Sequence, residues 1–395
     1  VLGFLGFSVV QGFAITLGIG VLVSFFTAIT VTRSLFAAVL RWRIGRNPRA
    51  YTEIHEEYEQ HPPKGRFDIV RARNWYFLGS LAIIIPGILA IIIWGFNLGI
   101  DFRGGNRIDV GLQRPATAAQ VLTKVQGVAG DLRPQVEAEN NNGFAITTFP
   151  STYDRVQTII NTLCDDYGIS GGTCSTNGVV PVSSKQQPDV QVQQVGPTIA
   201  SSLVSTAVIL VLVSALFITV YLAFAFRRQR AISPWRFSVC TFLKLLHDVF
   251  VLAGIWAILG KFSDLGQVDT LFVTALLTSV AFSIHDTIVV FDRVRENLRV
   301  GPRLTFDQVV NLSTVQTMTR SLNTSLTVVF VLLSLVIFGG TTIRGFVLAL
   351  LIGIITGTYS SIFNASTLLV AWQKASSARQ APPASGPRRV QVRTA

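Results

Sequence analysis

Long apolar runs closed by clusters of basic residues make up most of this chain. They cover residues 12–31, 75–97, 199–226, 242–259, 270–291, 322–338 and 346–372. Each lies near the ~20 apolar residues that a helix needs to cross a bilayer, so the pattern predicts seven transmembrane helices. Pro86 should kink the second. Between the second and third runs the pattern changes to short alternating and amphipathic segments. These are strand-like NRIDVGLQ, helix-like TAAQVLTKVQGVA, strand-like VEAEN and FAITTF, helix-like YDRVQTIINTLCDDYG and strand-like DVQVQQV. The βαββαβ order predicts a small ferredoxin-like α+β domain over residues 98–198. A Gly/Ser/Thr-rich stretch, 170–185, reads as a mobile loop before its last strand.

Charge orients the spans. The net charge is +12 in 395 residues, and residues 33–74 alone carry nine Lys or Arg. Arg227, Arg228, Arg230 and Arg236 mark a second basic loop, and Arg293, Arg295, Arg299, Arg303 and Arg320 a third, whereas Lys261 and Arg344 are the lone cations of the opposite loops. This positive-inside pattern places residues 98–198 outside and the C-terminus in the cytoplasm. The basic charge is thereby explained by topology; polyanion binding stays open for the tail, and no nucleic-acid partner is expected. Residues 1–34 read as one membrane region, 35–74 as a cytoplasmic linker with a helix near 51–60, 75–97 as one span, 199–373 as a five-helix region and 374–395 as a disordered basic tail. The chain opens without Met, at Val1 inside an apolar pattern, so an upstream segment is expected. Cys164 and Cys174 fall in the outer domain, where a disulfide is allowed but not dictated by their spacing, and Cys240 stands apart.

The chain also repeats itself. Gly12, Phe13, Leu17, Gly20 and Ile29 recur as Gly345, Phe346, Leu350, Gly353 and Ile362, always 333 positions later. Both copies carry small residues every fourth position, a spacing that lets helices approach closely. This predicts a parallel, pseudo-symmetric duplication. The same offset puts any mates of Asp286 and Arg320 before residue 1.

Asp286 stands inside an apolar run, above a stripe of Ser283, Ser279 and Ala275. An intramembrane carboxylate is costly and marks a functional position. It lies roughly 10 Å inside the boundary at Arg293 by the helical rise. On the next run Arg320, Asn323, Thr324 and Thr327 share a face, making Arg320 the expected partner of Asp286. Such a pair holds the carboxylate ionised, and withdrawal of the arginine favours proton uptake. A static ion pair tying two helices together is the alternative. Thr287 adjoins Asp286, and His285 points about 100° away round the helix, as an interfacial His or a relay. Lys244, His247 and Asp248 share a face, with Lys244 and Asp248 at a spacing that suits a helix-surface pair. No phosphate loop, metal cluster or nucleophile arrangement is legible, so catalysis and a bound cofactor are not expected; protons would be the coupling ion.

Four motifs carry a resemblance: GIDFRGG at 99–105, SIHDTIVVFDRVREN at 283–297, RSLNTSL at 320–326 and FGGTTIRGF at 338–346. They resemble the SecD/SecF protein-export family of the resistance-nodulation-division superfamily, with residues 64–373 similar to a SecF unit and 1–34 to the last span of a SecD unit. The resemblance implies a polytopic helix bundle of that superfamily in a bacterial cytoplasmic membrane. It also implies proton conduction by Asp286 and Arg320, and partners in the Sec translocon channel, a translocating preprotein and a SecD-like half that supplies a further aspartate. It makes the GIDFRGG turn, with Gly99, Asp101, Gly104 and Gly105, either a hinge of the outer domain or simply a tight turn at the membrane boundary. A superfamily efflux pump is the rival, expected to carry larger outer domains, and a non-transporting translocon scaffold is the third reading.

Overall fold

The computed structural model describes residues 8–39, 68–139, 142–175, 178–181, 189–227, 234–300 and 304–380. The helix expected near 51–60 lies outside them. Seven helices among these residues are long and apolar enough to cross a membrane. They are formed by α1 (Ser8–Phe26), which continues through a π-helical turn, Thr27–Val31, into α2 (Thr32–Val39); then α3 (Arg73–Trp94), α7 (Pro197–Ala225), α8 (Pro234–Phe262), α9 (Thr270–Val300), α10 (Phe306–Phe338) and α11 (Thr341–Tyr359). The last continues through a second π-turn, Ser360–Asn364, into α12 (Ala365–Gln380). The two π-turns are themselves 333 residues apart.

Helix α9 is the axis of the bundle: most of its apolar length is buried inside the protein, whereas most of that of α10 is exposed. Its small-residue stripe explains that position. A side chain built on Gly353 would meet Ser279 Cβ at 2.5 Å, and one on Gly357 would meet Ser283 Oγ at 2.7 Å, so the stripes of α9 and α11 interlock at near-backbone contact. Helices α3 and α8 cross in the same way, since a Cβ at Gly87, next to Pro86, would sit 2.8 Å from the Gly254 Cα. The described apolar side chains of α1, and those on the outer faces of α3 and α7, remain exposed, as expected of surfaces facing lipid.

Residues between α3 and α7 fold as a separate unit. After a short helix, α4 (Ile100–Arg103), come β1 (Gly105–Gly111), α5 (Ala118–Ala129), β2 (Gln135–Ala138), β3 (Gly143–Thr148), α6 (Tyr153–Tyr167), β4 (Gly172–Ser175), β5 (Gly178–Pro181) and β6 (Val190–Val195). Strands β2-β3-β1-β6 form one antiparallel sheet in that order. Ile108, Ile146, Val121, Val125, Ile159 and Leu163, from the sheet and from α5 and α6, close one apolar core. Thr117 opens α5 with a reciprocal capping box to Gln120.

Three expectations are corrected. Part of the stretch read as a mobile loop is the hairpin β4–β5, stapled to α6 by a Cys164–Cys174 disulfide; alternating Thr173 and Val180 pairing was masked by the surrounding Gly and Ser. Helix α12 runs on to Gln380, into the segment expected to be a disordered tail, and Lys374 there pairs with Asp307 of α10. Residues 381–395 lie outside the described residues. The apolar run read from residue 242 belongs to a helix, α8, that begins at Pro234, so Lys244, His247 and Asp248, close to the start of that run, sit in its middle turns.

Candidate functional site

Four helices bring the polar residues of the bundle together in its interior. On α8, Lys244 is 1% exposed and forms a 2.7 Å ion pair with Asp248 one turn on. The reading of this pair as a helix-surface contact is therefore wrong: α3, α9 and α11 cover the face that carries it. Ser283 of α9 seats the pair. Its Oγ receives the Lys244 ammonium and donates to Asp248 Oδ2 at 2.8 Å. Asp248 Oδ1 accepts from His247 Nδ1 at 3.0 Å, and His247 Nε2 lies 3.1 Å from Asn364 Nδ2, so one neutral tautomer with the proton on Nδ1 satisfies both contacts. Asn364 Nδ2 also reaches Ser80 of α3 at 2.8 Å.

The π-turn before α12 makes this convergence possible. Inserting one extra residue into a helical turn shifts the side chains that follow, and such turns often occur at functional positions. Here Ser361 donates to the Ser283 carbonyl at 2.8 Å, Thr287 lies 3.2 Å from Ser361 Oγ, and Asn364 reaches α3 and α8 together. Among the described residues, Asn364 Oδ1 is left without a hydrogen-bond partner.

Asp286 lies one turn beyond Ser283 on α9 and is 3% exposed. The Asp286–Arg320 ion pair is not formed. Arg320 is exposed, while Ser321 and Ser325 of α10 are buried, and Ser325 Oγ lies 2.7 Å from Thr358 Oγ1 of α11. One residue corresponds to about 100° on a helix, and burial of the Ser321 and Ser325 face leaves Arg320, Asn323 and Thr324 on the outside. His285 Nδ1 lies 4.0 Å from Asp286 Oδ1, and the His285 side chain is 64% exposed. Asp286 Oδ2 and Ser321 Oγ have no hydrogen-bond partner among the described residues. Thus Ser283, Thr287, His247 and Asp248 are joined in one network, Asp286 stands beside it, His285 approaches Asp286 from the exposed side, and Arg320, Asn323 and Thr324 are exposed on α10.

The glycine turn at the domain end of the bundle is tied down. Gly104 and Gly105 have φ of +77° and +151°, and a Cβ on Gly105 would lie 2.4 Å from the Thr148 carbonyl oxygen. Only glycine accepts both conditions. Asp101 Oδ2 accepts from Thr270 N at 3.0 Å and Thr270 Oγ1 at 2.7 Å, so a residue of the turn caps α9 from outside. Asp269 caps the same helix through Phe272 N at 2.7 Å. Gly99 N donates to the Val268 carbonyl and Val268 N to the Asn97 carbonyl. Burial, aided by the charge of Asp101 and opposed by the Phe272 bond, pushes the Asp269 carboxyl up to about 6.

Sequence reasoning missed Lys244 as a buried charge, and it missed Ser361, Asn364, Ser80 and Asp269. The signal for Lys244 was present: its turn is flanked by Phe242, Leu243, Leu245 and Leu246, leaving no solvated face for an ammonium. No group of three or more His, Cys, Asp or Glu among the described residues is placed to hold a metal.

Residues 179–375 match the family described as protein export membrane protein SecD/SecF, C-terminal, and residues 90–116 match the SecD/SecF GG motif. The protein translocase subunit SecF of Thermobaculum terrenum is 40% identical over 316 residues, which span 78% of this chain and 94% of that relative. The protein translocase subunit SecDF of Bacillus subtilis is 32% identical over 389 residues, 94% of this chain but 49% of that longer relative. Among solved structures, that of SecDF from Thermus thermophilus, a translocon-associated membrane protein, covers 94% of this chain and 46% of its own at 28% identity, with a TM-score of 0.73. A structure of SecDF titled as a super-membrane-facing form gives 0.62.

Proposed function

Because the chain belongs to the SecD/SecF family of protein-export membrane proteins, we propose that it is the SecF-type half of a Sec translocon accessory that uses proton movement to assist preprotein translocation. The observation that carries the proton role is the buried Asp286 carboxylate, which has a vacant acceptor beside a buried ammonium network. A carboxyl group at such a position is costly unless it serves a function, and carrying a proton is one. Inward movement of one proton releases about 2.3 kcal/mol per 100 mV of membrane potential.

Arg320, Asn323, Thr324 and His285 form a polar face exposed at membrane depth. Such a face is unfavourable against lipid and suits a second half packed on it. A SecD-type half would bring its own carboxylate to Arg320, completing a path begun at Asp286, in keeping with the chain spanning about half the length of the SecDF relatives it matches. The repeated π-turns support a pseudo-symmetric pair of halves, and the strand order supports a ferredoxin-like outer domain. In this reading the protein lies in a bacterial cytoplasmic membrane, with residues 98–198 outside and the C-terminus inside. The Gly104–Gly105 turn passes domain motion to α9 through Asp101 and Thr270.

The test is export of a secreted reporter in cells whose chromosomal copy carries Asp286→Asn. Loss of the stimulated part of export, with the protein still assembled, is expected. Wild-type export with Asn at 286 would favour a scaffold that transports no protons.

A further inference from the structure

We infer that a cleft at the basic end of the bundle is a binding site for an anionic phospholipid, whose phosphodiester is taken by Arg71 and Arg73. The segment leading into α3, the first turns of α10 and the end of α12 meet there around a cavity of about 340 Å³, a size that suits a small-molecule headgroup. Its walls are held in place. Ile69 N donates to Asn311 Oδ1 of α10 at 2.9 Å, and Val70 is buried in one apolar cluster with Val294 of α9, Val310 of α10 and Leu369 of α12. Arg293 of α9, from the third basic loop, donates to Gln316 of α10 at this same end. The cavity therefore lies at the membrane surface that the basic loops line.

Charge selects the ligand. Lys374 pairs with Asp307, and Asp68 Oδ1 accepts from Arg71 N at 3.0 Å. The guanidinium groups of Arg71 and Arg73 have no ion pair among the described residues, and each presents a fork of donors that matches a phosphate. Arg71, Arg73 and Lys374 face the two carboxylates of Asp68 and Asp307, so one positive charge is left over. That surplus suits a single phosphodiester and disfavours a polyphosphate or a nucleic acid. Into the membrane from the cavity, Trp75, Leu78, Ala82 and Ile85 recur at three- and four-residue steps as an exposed stripe of α3. Trp75 suits the headgroup level, and the stripe beneath it offers the acyl chains an apolar track. A free phosphate would use the arginines but not the stripe. Basic pockets between membrane helices recognise anionic headgroups in this way.

The test is thermal unfolding of the purified full chain in detergent, titrated with phosphatidylglycerol, phosphatidylethanolamine, phosphatidylcholine or inorganic phosphate. Phosphatidylglycerol should raise the unfolding midpoint saturably, because a ligand of the folded state stabilises it. The two zwitterionic lipids and inorganic phosphate should raise it much less. Arg71→Gln with Arg73→Gln should weaken the apparent affinity for phosphatidylglycerol by ~10-fold or more, since each cation near an anionic headgroup contributes roughly fivefold. Arg71→Gln alone, at an exposed position, should lose less and keeps the test decisive if the double variant does not assemble. Arg299→Gln removes an exposed cation at the same end but outside the cavity, and should bind like wild type. Undiminished affinity in the Arg71 and Arg73 variants, or an equal loss in Arg299→Gln, would overturn the inference. So would equal stabilisation by the zwitterionic lipids or by inorganic phosphate.

Discussion

Asp269 offers a stability test whose sign and size follow from its surroundings. Its carboxyl caps α9 through Phe272 N, yet burial and the nearby Asp101 raise it from an ordinary 3.8 to about 6. A shift of this size, roughly two units, corresponds to about 3 kcal/mol between the two protonation states. Because the folded protein binds the proton more tightly than the unfolded chain, the penalty is absent below the unfolded value, grows as pH rises between about 4 and 6, and is fully present above that. Asp269→Asn removes the charge and keeps the capping acceptor, since Asn caps helices as well as Asp does. The variant should therefore match wild type near pH ~4 and exceed it above pH ~6, by up to about 3 kcal/mol. Thermal unfolding of the purified protein in detergent, scanned across that range, reads the difference. A gap that does not change with pH, or a variant less stable than wild type at neutral pH, would refute the reasoning.

The bundle and the outer domain offer two further tests. Gly357→Ala places a methyl 2.7 Å from Ser283 Oγ and 2.8 Å from its Cβ, so α9 and α11 must separate; an overpacking loss of ~1–3 kcal/mol is expected in the melt. Gly127→Ala on α5, where nothing lies within 4 Å, should instead hold or raise stability and serves as the control. Alkylation of denatured, unreduced protein followed by mass spectrometry should add one label, at Cys240, and prior reduction should raise this to three by opening Cys164–Cys174.

Much of the architecture was legible because bilayer length and strand alternation leave strong periodic marks. The seven runs and the βαββαβ order are visible in spacing alone. The small-residue stripe of Ala275, Ser279 and Ser283 also identified the packed face of α9, which the contacts with Gly353 and Gly357 bear out. The partner of Asp286 was not legible. Arg320 and Ser321 are neighbours in sequence, and which of them faces inward is decided by the rotation of α10 against α9, which no local pattern records. Asn364 escaped for a related reason: it reaches His247 and Ser80 through a π-turn, and a helical wheel drawn without that extra residue places it elsewhere. Lys244 was misread because its i, i+4 spacing to Asp248 is the same on a helix surface as in a core; the apolar residues on either side of it, and not that spacing, separate the two cases.

The claim that Asp286 carries protons in service of export is tested most directly by proton flux in vesicles containing the full assembly and the translocon, with and without a translocating preprotein. The account predicts that flux rises when preprotein moves and that Asp286→Asn abolishes this increment while leaving the complex intact. An increment that persists with Asn at 286 would contradict it.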